Sequence, residues 1–196
     1  VNNAPFLITL SSGSTGDPKP IIFTEKNKID RSLSAQALYD LSNEDVILNS
    51  SPFFHSLGQR LTFLPLLMGS TLVLISSFTA KKWHQKIIRY GVTFTIPVST
   101  HLYQYLAKYS VSGFDELKTL KGMVSSSASI SKQSKHELSR VTHVKFREMY
   151  GASEIGTATD LVLSKKSKIE SVGCALEDIE IGILISGNVV KTANII

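Results

Sequence analysis

The sequence predicts an α/β fold, a mostly parallel sheet flanked by helices and followed by a small β-rich subdomain. Two observations carry that prediction. From Phe6 to Met149, short β-branched or aromatic runs alternate with helix-length segments bounded by capping and stop residues. Such alternation is how a parallel sheet with crossover helices looks in sequence. After about Gly156, strand-like runs separated by Gly and Lys turns take over. The boundaries read as an α/β unit over 1–156 and the start of a β-rich subdomain over 157–196. At 196 residues, 42% hydrophobic and 19% charged, the chain is long enough to bury a sizeable core.

The elements follow in order. Phe6 to Leu10 and Ile21 to Phe23 read as strands on either side of a polar loop. Thr24 is placed to cap a helix from Glu25 to Leu41, with Ile29, Leu33, Ala37 and Leu41 four apart as its apolar stripe. Val46 to Leu48 is a short buried strand. A mainly apolar helix runs from about Leu57 to Met68 and stops at Gly69; Thr71 to Ile75 is a strand. Thr79 caps a helix to Tyr90 that turns Trp83, Ile87 and Ile88 inward, and Gly91 ends it. Then come a strand over Val92–Pro97, a helix over Thr100–Tyr109, a strand over Gly122–Ser125, a helix over Ser131–Ser139 and a strand over Val144–Met149. Thr157–Leu163, Ile169–Val172 and Ile179–Ser186 are the strands of the last third.

Several classes of function are disfavoured. The net charge is +5, and the lysines come in short groups (Lys81-Lys82, Lys132 with Lys135, Lys165-Lys166 with Lys168) without interleaved aromatics. These read as solvated faces and not as a nucleic-acid surface, while the positive balance suits an anionic ligand. Cys174 is the only cysteine, so no internal disulfide forms, which fits a reducing, cytoplasmic setting. The longest apolar run, Leu61 to Ile75, is broken by Pro65, Gly69 and Ser70 and is too short to span a bilayer.

The stretch that carries chemistry is Leu10 to Pro20. Gly13 and Gly16 let backbone N–H groups approach a ligand, the hydroxyls of Ser11, Ser12, Ser14 and Thr15 add donors, and Lys19 adds a point charge. It is not a Walker loop: there a lysine directly follows the last glycine and a helix comes next, whereas Lys19 stands between Pro18 and Pro20 ahead of a strand. Two readings stay open on the loop alone, a polyphosphate cradle or an ordinary Ser/Gly surface turn. In such sheets ligands bind beyond the carboxyl ends of the strands. The loops that fall there are Ser51–Gly58, Ser125–Ser129 and Tyr150–Glu154, each small-residue-rich and polar.

Together these residues resemble the adenylate-forming superfamily of acyl- and aryl-CoA synthetases, peptide-synthetase adenylation domains and luciferases. Ser11 to Lys19 matches the family's phosphate loop, Thr-Ser-Gly-Ser/Thr-Thr-Gly-x-Pro-Lys-Gly. Pro52 to Gly58 resembles its Pro-x-Phe-His-x-x-Gly segment, Tyr150 to Glu154 its Tyr-Gly-x-Thr-Glu, and Val172-Gly173 its later Val-Gly-x-Pro, all in the family's order. The resemblance implies that ATP and a carboxylic acid form an acyl-adenylate with release of pyrophosphate, after which a thiol of coenzyme A or of a carrier-protein pantetheine takes the acyl group. It implies a phosphate-binding role for Ser12, Gly13, Ser14, Thr15, Gly16 and Lys19. Ser126, Ser127 and Ala128 would run beside the adenine and acyl group, with Tyr150 and Gly151 against the adenine. Ser153 would touch the α-phosphate. Glu154 would bind Mg²⁺, and His55 would stand between the acyl pocket and the α-phosphate. Lys19, His55 and Glu154 are thus the implied catalytic residues.

Departures from the family pattern shape further expectations. Pro20 replaces a glycine and removes a backbone donor. Ser126 and Ser127 stand where many members have glycines, which suits a modest or functionalised acid over a long fatty one. The chain shows no later Thr-Gly-Asp motif, whose aspartate holds the ribose in the family, and no C-terminal lysine. The expectation is a portion of a longer enzyme with feeble turnover alone. Two alternatives stay open: a nucleotide-binding module without adenylation, and a nonenzymatic interaction domain.

Overall fold

The chain opens on a hairpin. In this computed structural model, which describes residues 3–11, 18–164, 167–185 and 188–191, β1 (Pro5–Ser11) pairs antiparallel with β2 (Lys19–Thr24) in the register Ile8 to Ile22. Alternation turns Thr9 and Phe23 inward and leaves Ile8, Leu10 and Ile22 outward.

Helix α1 (Glu25–Tyr39) starts at the predicted cap. The Thr24 hydroxyl accepts from the Asn27 N–H while the Asn27 side chain accepts from the Thr24 N–H, a reciprocal box. Its inward face is not the predicted stripe. Lys28, Ser32 and Ala35 are buried, whereas Leu33 is 55% exposed and Ala37 is exposed. A strict spacing of four drifts around a 3.6-residue helix. The polar residues that replace it are buried because each finds a partner: Lys28 Nζ donates to Gln59 Oε1 at 2.6 Å, and the Ser32 hydroxyl donates to the Lys28 carbonyl at 2.9 Å.

The remaining elements alternate as expected: β3 (Val46–Asn49), α2 (Ser56–Met68), β4 (Thr71–Leu74), α3 (Ala80–Tyr90), β5 (Phe94–Thr95), α4 (Ser99–Tyr109), a 3₁₀ turn over Val111–Glu116, β6 (Gly122–Ser125), α5 (Lys132–Leu138) and β7 (Lys145–Ala152). Then β8 (Gly156–Val162), β9 (Cys174–Ala175), β10 (Gly182–Ile185) and β11 (Asn188–Lys191) follow. The main sheet has seven strands in the order β4-β3-β5-β6-β7-β8-β9. Its first five strands are mutually parallel, and β8 and β9 continue it antiparallel. Strands β10 and β11 pair with each other as a separate hairpin.

Both faces of the parallel strands are buried, so neighbouring residues of one strand enter different cores. Ile47 and Val124 join Ala35, Leu61, Leu64 and Phe94 beneath α1 and α2. Leu48 and Met123 join Trp83, Ile87, Leu102, Tyr105 and Phe114 beneath α3 and α4. Two predicted strands differ. Within Val92–Pro97 the regular strand is only Phe94 and Thr95: the Val46 N–H of the neighbouring strand donates to the Thr93 hydroxyl at 3.0 Å in place of a backbone carbonyl, and Pro97 has no N–H to give. Ile169–Val172 is a turn, held by the Ser171 N–H and hydroxyl on the Lys168 carbonyl at 3.0 and 2.9 Å, local bonds that compete with a ladder. Of the predicted strand Ile179–Ser186, Gly182–Ile185 is strand and Ser186 lies outside the described residues.

Candidate functional site

The loops singled out from the sequence leave the carboxyl ends of β3, β6 and β7, which point the same way because these strands are parallel. Asn49 closes β3 and organises the first of them. Its Nδ2 donates to the Gly58 carbonyl at 2.9 Å and to Thr62 Oγ1 at 3.1 Å, and its Oδ1 accepts from the Ser51 N–H at 2.9 Å. The loop thereby folds back on the first turn of α2. A Cβ on Gly58 would stand 2.0 Å from the Pro52 carbonyl oxygen, so only glycine allows this approach. Phe53, Phe54 and His55 are left exposed. His55 occupies the N-cap position of α2, but its side chain makes no capping bond; its ring lies 4.4 Å from that of Phe54.

The loop after β6 is fastened from both sides. The Ser99 N–H donates to the Ser126 carbonyl at 3.2 Å. Ser129 Oγ and the Ile130 N–H donate to Glu148 Oε1 at 3.3 and 2.9 Å. The other Glu148 oxygen is ion-paired with Lys135, whose Nζ also reaches the Ser171 carbonyl at 3.0 Å, and both side chains are almost wholly buried. Such a pair persists only when its remaining valences are satisfied, as most are here. Between these ties, Ser126 is buried, Ser127 takes φ 77°, and Ser127 and Ala128 are exposed.

The third loop is a tight connection between β7 and β8. A Cβ on Gly151 would lie 2.0 Å from the Gly156 carbonyl oxygen, and the register slips between Tyr150 and Gly151. Tyr150 presents its ring to solvent, 56% exposed. Arg31 of α1 holds the turn: its two terminal nitrogens donate to the carbonyls of Ser153 and Glu154, each at 2.9 Å. The same guanidinium lies 4.6 Å over the ring of Phe23 in β2. One side chain therefore joins the hairpin that carries the glycine loop to the turn that carries Glu154.

The candidate residues are thus partly assembled. Ser126, Ser127 and Ala128 share with Tyr150 and Gly151 the tie through Glu148 on β7, and Ser153 and Glu154 share Arg31 with β2. Lys19 is exposed at the start of β2, where its carbonyl accepts from Ser11 Oγ at 3.3 Å. Lys19, His55 and Glu154 form no hydrogen bond or ion pair with one another among the described residues. Ser12, Gly13, Ser14, Thr15 and Gly16 lie outside the described residues.

Charge is unevenly placed around this site. Burial, together with Arg31 and Arg60, pushes Lys28 down to about 8. Burial and Arg60 push Arg31 down, and burial does the same to Arg60. The sequence reading missed Arg31, Glu148 and Lys135. Arg31 stands alone in a helix with no motif around it. Glu148 offered one signal, a charge two places before Tyr150 that shares the inward face of its strand with Phe146.

A family model described as AMP-binding enzyme matches residues 1–193. Vanchrobactin synthetase VabF of Vibrio anguillarum is 30% identical over 159 residues, 78% of this chain and 6% of that protein. A long-chain-fatty-acid–CoA ligase of Bacillus subtilis is 26% identical over 172 residues, 86% of this chain and 30% of that protein. Among solved structures, O-succinylbenzoate coenzyme A synthetase from Bacillus subtilis, in complex with AMP, aligns with a TM-score of 0.82 at 24% identity, covering 96% of this chain and 48% of that one. ATP-bound MatB from Rhodopseudomonas palustris aligns at 0.81 and 20% identity, covering 95% and 37%. The chain spans less than half the length of each of these proteins.

Proposed function

The chain belongs to the AMP-binding enzyme family, and from that premise we propose that it forms the nucleotide-holding part of an acid–thiol ligase. In this reading ATP and a small carboxylic acid react to give an acyl-adenylate and pyrophosphate. The acyl group then passes to a thiol, of coenzyme A or of a carrier-protein pantetheine. The observation that carries the reading is the Arg31 bridge. It ties Phe23 of β2, the strand that follows the glycine loop in sequence, to the main chain of Ser153 and Glu154, so that hairpin and the turn bearing Glu154 are fastened to one guanidinium.

The roles follow from chemistry. A carboxylate is a weak nucleophile toward phosphorus, so the site works by alignment and by stabilising charge on phosphate oxygens. Ser12, Gly13, Ser14, Thr15, Gly16 and Lys19 would hold the β- and γ-phosphates. Tyr150 and Gly151 would face the adenine across from Ser126, Ser127 and Ala128. Ser153 would meet the α-phosphate and His55 the carboxylate being activated. Glu154 fits a magnesium ion: its carboxylate is exposed, has no partner among the described residues, and is a hard oxygen donor. One protein carboxylate completed by phosphate oxygens suits that ion, which when bound would neutralise phosphate charge. The buried Ser126 and the exposed Ser127 side chain favour a short or functionalised acid.

A second reading, a nucleotide-binding module without adenylation chemistry, draws on Pro20. It stands opposite Leu10 in the hairpin, where it offers no N–H. Thermal unfolding with and without Mg-ATP tests binding, because a ligand that prefers the native state must raise Tm. ATP–pyrophosphate exchange by the full-length protein tests chemistry. Protection with exchange is expected; protection without exchange selects the second reading, and no protection overturns both.

A further inference from the structure

Three cations meet at the seam between α1 and α2. Lys28 is only 6% exposed, yet its partners are a neutral amide oxygen, Gln59 Oε1 at 2.6 Å, and the face of Phe23 at 3.7 Å. Arg31 spends both terminal nitrogens on the carbonyls of Ser153 and Glu154. Arg60 of α2 is partly buried and uses Nη1 on Thr157 Oγ1 at 2.8 Å. Among the described residues no carboxylate forms an ion pair with any of the three. The remaining donors of the two arginines meet beside Gly156. A Cβ added to Gly156, whose φ is +82°, would lie 3.7 Å from Arg31 Nε and 3.8 Å from Arg60 Nη2, so both guanidinium groups border this glycine.

Three like charges stand together with one carboxylate, Glu154, acting on Arg31 at a distance and none paired to Lys28 or Arg60; such arrangements are unfavourable and collect where the charge is used. The mutual repulsion is visible in Lys28, which is lowered to about 8 by burial and by the two arginines. We propose that Lys28, Arg31 and Arg60 form an oxyanion site at the α1–α2 seam, taking a carboxylate, sulfonate or phosphate group of a substrate. It deepens the function proposed above by giving that substrate a second anionic group to be held. The group is either a distal acid function on the carboxylic acid or the terminal phosphates of the nucleotide. Guanidinium groups suit both because their planar donors match oxyanions.

The test is thermal unfolding of this chain at constant ionic strength with pyrophosphate, succinate, butyrate or AMP. Wild type is compared with Lys28→Met and Arg60→Gln. Protection by pyrophosphate assigns the site to the nucleotide's terminal phosphates, and protection by succinate but not butyrate assigns it to a diacid. Lys28→Met sets an apolar group where the ammonium lies against Phe23 and removes a buried charge that has no ion pair. It should raise the ligand-free Tm by roughly 2–4 °C while weakening the anion at least tenfold, and Arg60→Gln should weaken it similarly. AMP separates the two ideas. If AMP protects and neither anion does, the oxyanion site is wrong and the nucleotide reading stands. If the anions protect and neither AMP nor Mg-ATP does, the reverse holds. Unchanged anion affinity in both variants, or a lower ligand-free Tm in Lys28→Met, also overturns the site.

Discussion

Gly58 and Lys28 set opposite kinds of constraint within one small region. At Gly58 the constraint is space. Gly58→Ala would put a methyl 2.0 Å from the Pro52 carbonyl oxygen, against backbone and not against a side chain able to swing away. A loss of about 1–3 kcal/mol is expected in urea unfolding, with weaker nucleotide protection as the Pro52–His55 loop shifts. At Lys28 the constraint is charge. Its folded value of about 8 lies below the ordinary 10.5, held there by burial and the facing Arg31 and Arg60. Between those values the unfolded chain carries a proton that the folded chain lacks, so stability from this group rises with pH across that window. Below about pH 8 both states are protonated and the full penalty remains. The stability advantage of Lys28→Met over wild type should therefore be largest near neutrality and shrink toward pH 10. An advantage that grows with pH would contradict the assignment.

Elements differ in how much of their placement their own residues reveal. Helix α3 was readable in all but one position. Thr79 caps it by accepting from the Lys82 N–H, Gly91 ends it at φ 61°, and Trp83 and Ile87 turn inward as expected, whereas Ile88, expected inward too, is 50% exposed, because one step along a helix turns it about 100° from Ile87. All of those signals are local. Helix α1 was readable in its start and length but not in its orientation, because its inward face is polar and is decided by Gln59 on another helix. The prediction belongs to this scale. Leu33→Ser, on the outward face, should change stability by less than about 0.5 kcal/mol. Ala35→Leu, in the core beneath α1, should cost about 1–3 kcal/mol by overpacking. Denaturant unfolding of both variants checks the assignment, and equal costs would restore the apolar stripe as the buried face. Strand β5 falls short for a related reason: the Thr93 hydroxyl takes the Val46 N–H of the neighbouring strand, a side-chain bond invisible in the run Val92–Pro97.

At the scale of the whole molecule, parallel strands gather distant segments at one edge, which made the candidate site legible as motifs. Four segments could be picked out because their glycines, hydroxyls and carboxylate are unusual in loops. The residues that fasten those segments were not legible. Arg31, Glu148 and Lys135 act from helices and strand interiors, where a charge reads as surface until the tertiary partner is known. The acyl site proposed for these loops carries its own prediction. Acyl-sulfamoyl adenosines of graded chain length should bind tightest when short or functionalised if Ser126 and Ser127 flank the acyl group as proposed; tightest binding by the longest would refute that. The grip of Arg31 has one more implication. It seizes peptide carbonyls, which every residue owns, so the bend at 153 and 154 keeps its shape whatever those two side chains are. Framework and reactivity are thereby uncoupled: the chain can trade Ser153 or Glu154 for another chemistry without first rebuilding the scaffold that aims it.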